Sequence, residues 1–161
     1  MYGSSSGIGE AIAIKLWSLG ANVVITGRDE KRIGELTKGN IVNISSIAAF
    51  TPSSKMMLHC MAKCALDMFT KCLALQLGPK GIRVNSVNPA TVRTPIFERI
   101  TGDTKLLDSL VEHCRQTYPL GRIGEPEDVA EAVVFLANET SASFITGLIM
   151  PVNGGANHLP N

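Results

Sequence analysis

His59 and Lys63 stand four residues apart in the stretch MMLHCMAKCALD, residues 56–67. On a helix that spacing puts both side chains on one face, one turn apart. An imidazole, with an unperturbed pKa of about 6.5, suits general acid or base work. An ammonium one turn away disfavours the imidazolium, so a neutral ring is expected, which is a poor proton donor and a better base. The same stretch carries Cys60 and Cys64. With His59 they would begin a zinc site, but no second cluster in the chain completes the ligand set, and no metal is expected. With Cys72 and Cys114 the four cysteines are irregularly spaced and read as reduced thiols of the core.

A second stretch, YGSSSGIGEAIAIKLWSLGANVVITGR, places glycines at Gly3, Gly7 and Gly9 ahead of a helical and then a strand-like pattern. Small residues at that spacing let a turn tighten and bring backbone N–H groups to a pyrophosphate at a helix N-terminus. The alternative is an ordinary glycine-rich helix cap. At the end of the following strand an acid would accept the adenosine ribose hydroxyls, but Gly27 stands there and Arg28 follows. A guanidinium in place of that acid favours a 2′-phosphate, hence NADP(H); the alternative is an exposed arginine at a helix start. Met1 and Tyr2 alone precede Gly3, so the strand from which such a loop normally hangs is not expected.

These groups need a frame. The chain of 161 residues suits one domain, and 45% apolar with 18% charged residues suits a globular fold. Fifteen basic against fourteen acidic residues give no electrostatic footprint for nucleic acid or an anionic membrane. No apolar run reaches the roughly 18 residues that span a bilayer, and no signal peptide is read, so a cytoplasmic protein is expected. Strand patterns at Asn22–Thr26, Ile41–Ile44, Ile82–Val87 and Leu148–Val152 alternate with helical ones at Ile8–Leu19, Glu30–Lys38, Ser54–Leu77 and Pro126–Ala137. That alternation predicts an α/β fold with a parallel sheet. Gly39 and Gly78-Pro79 read as helix stops. Thr94 to Tyr118 reads as a long irregular segment with one helix, Lys105–Gln116, of the kind that covers a site.

With these residues in view, the chain resembles the short-chain dehydrogenase/reductase family. The matching stretches are GSSSGIG, VVITGR, NIVNISSIA, the Lys63 helix, LALQLGPKGIRVNSVNPATVRTP, PLGRIGEPEDVAEAVVFLA and FITGLIMPVNGG, in the family's order across almost the whole chain. The resemblance implies a Rossmann-type, doubly wound three-layer fold and hydride transfer between NAD(P)(H) and a carbonyl or alcohol. It assigns the substrate-polarising serine to Ser46 and the lysine that binds the nicotinamide ribose to Lys63. The proton-transfer tyrosine falls on His59, thirteen residues after Ser46. It assigns cofactor contacts to Gly3, Ser5, Ser6, Gly7, Ile8, Gly9, Arg28, Lys63, Pro89, Val92 and Thr94, with Ala90 where a glycine is usual. The substrate is a small carbonyl or alcohol, and the long helix and C-terminal segment imply homo-oligomers or association with family relatives.

The chain also departs from the family. ELTKGNIVNISS runs straight from the second helix into the family's fifth strand, so roughly 60 residues holding two strand–helix units are absent. The expected result is a single truncated domain with an incomplete parallel sheet: a remnant of the dinucleotide-binding half at 1–38 and the catalytic and C-terminal half at 39–161. A second strand left alone would bury unpaired backbone groups at about 1–3 kcal/mol each, against a net stability of about 5–15 kcal/mol. One compact solution is a right-handed crossover that sets the second strand beside the fifth, giving the order 2-5-6-7 in family numbering. The histidine is shorter than a tyrosine, and a misplacement of about 1 Å can cost a hundredfold in rate. Loss of activity is therefore expected, and three readings stand: an impaired NADP(H) enzyme, a non-catalytic partner of relatives, and a poorly folded product.

Overall fold

Residue patterns and backbone hydrogen bonding agree on a central strand, Ile82–Pro89, whose eight residues are all buried. In the computed structural model, which describes residues 7–19, 39–102 and 105–158, this strand lies between two others. The elements in chain order are α1 (Gly7–Ser18), β1 (Gly39–Ile44), α2 (Met57–Leu77), β2 (Ile82–Pro89), α3 (Ile96–Thr101), α4 (Leu106–Thr117), α5 (Pro126–Ala137), α6 (Glu139–Ala142) and β3 (Ile149–Val152). Short 3-10 turns flank α2, at Ile47–Ala49 and Ser54–Met56 before it and Gly78–Lys80 after it. The sheet is parallel in the order β1-β2-β3, with Gly39 opposite Ile82, Ile44 opposite Val87 and Val87 opposite Met150.

Because successive strand residues face opposite sides, β2 builds two cores. Ile82 and Val84 pack with Ala74 and Leu77 of α2. Val87 packs on the other side with Val129, Val133 and Leu136 of α5 and with Ile12 of α1. The layers are therefore α2, sheet, and α5 with α1, and the α1–α5 pair also carries a Lys15–Glu131 ion pair at 2.6 Å. Arg83, 7% exposed, ends the inner layer. Its guanidinium donates to the Leu136 carbonyl at 2.7 Å and to the Ala137 carbonyl at 3.4 Å, satisfying acceptors that the last turn of α5 leaves open. At its other end α5 starts on Pro126, with Asp128 accepting the Glu125 backbone N–H at 2.8 Å in a capping box.

The α/β class and the incomplete parallel sheet agree with the sequence reading. The strand at Asn22–Thr26, the helix at Glu30–Lys38 and the pairing proposed for that strand lie outside the described residues. Gly39 opens β1 and pairs with Ile82, and the helix it was expected to stop lies outside the described residues. Three expectations are corrected. The helix does end at Leu77, but Gly78 is right-handed, and Gly81, at φ 72°, makes the left-handed turn into β2. The segment from Thr94 to Tyr118 holds two helices, α3 and α4, divided by left-handed Gly102. Of the supposed core thiols, Cys114 alone is buried; Cys60 is half-buried, and Cys64 and Cys72 are exposed. Among the described residues no helix is long and apolar enough to cross a membrane.

Candidate active site

The carboxyl ends of parallel strands are where an α/β sheet exposes free backbone and loop side chains. Here β1 runs out into Ser45-Ser46 and β2 into Pro89-Ala90, while the first half of α2 crosses the same edge. Ser46 has extended backbone (φ −164°, ψ 157°), and its Oγ accepts the Ala48 N–H at 3.1 Å, capping the turn at Ile47–Ala49. Ser45 is buried, with its N–H donated to the Val87 carbonyl at 2.8 Å and its Oγ to the Lys63 carbonyl at 3.4 Å. The Lys63 ammonium donates to the Ile44 carbonyl at 2.9 Å. Partial burial lowers the Lys63 pKa below the ordinary lysine value, and the nearby Asp67 carboxylate opposes that shift.

Beneath these groups lies a polar cluster that the sequence reading did not include. Asp67, on α2 one turn after Lys63, is 6% exposed, and Ser86 and Asn88 on β2 are wholly buried. Asn88 donates its amide N–H to Asp67 Oδ2 at 2.7 Å and to the Ser46 carbonyl at 3.0 Å. Ser86 Oγ lies 3.2 Å from Asp67 Oδ1 and 2.7 Å from Asn88 Oδ1. The carboxylate thus ties the Ser46 turn, β2 and the Lys63 helix together. A signal was present: a carboxylate at the fourth position after Lys63 in an apolar helix, and alternating polar residues in a strand otherwise fit for burial.

The other candidates fall into three groups. Gly7 and Thr94 come together: Gly7 has φ +62°, and a Cβ there would sit 3.0 Å from Thr94 Cγ2. Glycine is required at that position twice over, by backbone and by contact. Ile8 packs its side chain against the α5 core, and Val92 lies within that core, 5% exposed, in a bridge to Gly124. Their side chains are structural; Val92 also lines one wall of a cavity of about 280 Å³ beside Tyr118 and Arg122. Pro89 ends β2 buried, and Gly9 is half-buried on α1. Gly3, Ser5, Ser6 and Arg28 lie outside the described residues. His59 stays apart: it is exposed, with no hydrogen-bond partner among the described residues, one turn from the anchored Lys63.

Comparison with known proteins identifies the family. A family profile described as Enoyl-(Acyl carrier protein) reductase matches residues 35–157. The chain is 43% identical to L-xylulose reductase of Caenorhabditis elegans over 122 residues, covering 73% of this chain and 45% of that one. It is 39% identical to mouse (Mus musculus) L-fucose dehydrogenase, covering 74% of this chain and 43% of that one. Among solved structures, a short-chain dehydrogenase/reductase of unknown function from Caenorhabditis elegans, crystallised with cofactor, superposes with a TM-score of 0.71 at 31% identity, over 76% of this chain and 47% of that one. The chain therefore spans about half the length of these relatives. A profile match over most of the sequence, the parallel sheet and the Ser46–Lys63 edge agree: this chain belongs to the short-chain dehydrogenase/reductase family.

Proposed function

We propose that the chain descends from an NADP(H)-dependent oxidoreductase acting on small carbonyls and alcohols, and that it is itself impaired in turnover. The observation that carries this reading is the contrast between Lys63 and His59. Lys63 is half-buried and bonded to the Ile44 carbonyl, whereas His59 at the proton-transfer position is exposed, with no hydrogen bond among the described residues to orient it. General acid–base catalysis needs its group held within hydrogen-bond reach of the reacting atom, and no described group holds the His59 imidazole in place. A nicotinamide dinucleotide would supply the hydride, with Gly7, Gly9, Lys63, Pro89 and Thr94 as its holders in this chain. Arg28, with no acid before it, supports NADP(H) over NAD(H). The names of the relatives, a xylulose reductase and a fucose dehydrogenase, support a sugar-like carbonyl or hydroxyl as the ancestral substrate. Composition supports a cytoplasmic location, and the domain reads as a dinucleotide-binding remnant, 1–38, joined to a catalytic and C-terminal half, 39–161.

Titration of the chain with NADPH, followed by cofactor fluorescence, is expected to show no saturable binding, and L-xylulose with NADPH no loss of cofactor absorbance. Saturable micromolar binding with turnover would overturn the reading.

A second reading, that the chain associates with a copy of itself or a relative, is favoured by the outer face of α2. Leu58, Met61, Ala65, Met68, Cys72 and Leu75 recur at alternating spacings of three and four, and all are exposed, Leu75 to 81%. That is a helix–helix seam that no described residue covers.

A further inference from the structure

Four sulfurs on α2 line one groove, those of Met57, Cys60, Met61 and Cys64. Met57, Cys60 and Cys64 follow the spacing i, i+3, i+7 and all line a groove of about 770 Å³ between the first turns of α2 and the loop 48–54. Cys60 Sγ lies 3.8 Å from the Thr51 carbonyl oxygen, and Cys64 Sγ lies 3.1 Å from that of Ala49. Both thiols therefore point at the same loop from consecutive turns, and positions four apart on a helix hold their Cβ atoms about 5–6 Å apart. The thioether of Met57 sits one turn before Cys60, and Phe50 and Pro52 form the apolar wall.

The donor chemistry is soft. The remaining polar side chains of the groove are the hydroxyls of Ser53 and Ser54. His59, which a zinc site would need, does not line it: its side chain lies on the Lys63 side of the helix. Soft sulfur ligands suit copper(I), zinc and iron–sulfur clusters, but zinc and the clusters ask for four ligands, whereas two thiolates and a thioether meet the low coordination number of copper(I). An apolar wall limits solvent access to a bound ion.

We propose that Cys60 and Cys64, assisted by the Met57 thioether, form a binding site for copper(I). The assignment is independent of the enzymatic reading above; its three ligands lie outside the apolar seam, and Met61 of that seam lines the groove beside them. Two S–H bonds break, two S–Cu bonds form, and two protons leave to solvent. Copper enters and remains as copper(I), so nothing is oxidised or reduced.

The test is an anaerobic titration of the reduced full chain against copper(I) held by bathocuproine disulfonate, whose colour reports the copper withdrawn. The expected result is one copper per chain with two protons released in weakly buffered solution. Cys60→Ser and Cys64→Ser should each weaken binding by about a hundredfold, the upper end of what loss of a mere supporting residue costs a metal site. Met57→Leu should weaken it while the proton count stays at two, and Cys72→Ser should change nothing. Circular dichroism confirms that each variant keeps its helices. Failure to withdraw copper would overturn the site, as would uptake that survives Cys60→Ser with Cys64→Ser or uptake that disappears in Cys72→Ser.

Discussion

Lys63 holds a costly position. Its ammonium is partly desolvated against β1, which lowers its pKa below the ordinary lysine value of 10.5, and the Asp67 carboxylate recovers part of that loss. The sign follows from linkage. Between the lowered folded value and 10.5 the unfolded chain binds more protons than the folded one, so stability attributable to Lys63 rises with pH across that window. Below the window the desolvation cost is fully present. Wild type is therefore expected to gain stability relative to Lys63→Met as pH climbs toward 10.5, measured as the difference in urea midpoints. A difference that stays flat with pH would mean that the ammonium is solvated after all. At this scale the sequence was informative through the family resemblance, which directed attention to Ser46 after β1 and to Lys63, whose ammonium bonds the Ile44 carbonyl at the end of β1. Its signal for Asp67 was ambiguous, because a single carboxylate in a helix looks like surface until its strand partners, Ser86 and Asn88, are known.

At the scale of the element, α2 shows why a hydrophobic helix is easy to find and hard to orient. Its inner face, with Asp67, Thr70, Ala74 and Leu77 buried, is more polar than its outer face. Hydropathy alone therefore assigned the thiols at 60, 64 and 72 to the core, when two of them are exposed. Apolar periodicity reports that a face avoids water, not which partner covers it. An antiparallel pairing of two copies along the seam would set Leu58 against Leu75 and Ala65 against Met68, with the small Ala65 and Cys72 allowing close approach. Sedimentation of the chain is expected to give a dimer. Met68→Glu, which would set two carboxylates near the two-fold axis, is expected to give a monomer with its helix content intact. A wild-type chain that sediments as a monomer at tens of micromolar would remove the seam as an interface. The stops of the same helix were half legible: Leu77 ends it as the following Gly78-Pro79 predicts, but the left-handed residue is Gly81, because Pro79 first extends one 3-10 turn.

Over the whole molecule, the order of the three strands was legible because parallel neighbours joined by helices leave few topologies open. The layer assignment was legible too, once β2 is read with a period of two: Ile82 and Val84 to one side, Val87 to the other. What could not be read was that the two described cores share this one strand. The α2 core holds Ala74, Leu77, Ile82 and Val84, while the α5 core reaches Ile12 of α1. Two cores joined by one fully buried strand cannot melt separately, since β2 loses ladder partners and both packed faces together. Val84→Ala and Val87→Ala empty opposite sides of that strand, and both side chains are wholly buried. Each is expected to cost about 2 kcal/mol. For a chain of this size that lowers Tm by about 4–8 °C. The decisive measurement is calorimetry of both variants: one transition in each, shifted by a similar amount, is the outcome that a shared central strand requires. Two resolved transitions, with Val84→Ala moving one and Val87→Ala the other, would show that α2 and the α1–α5 pair fold as separate units on the same sheet.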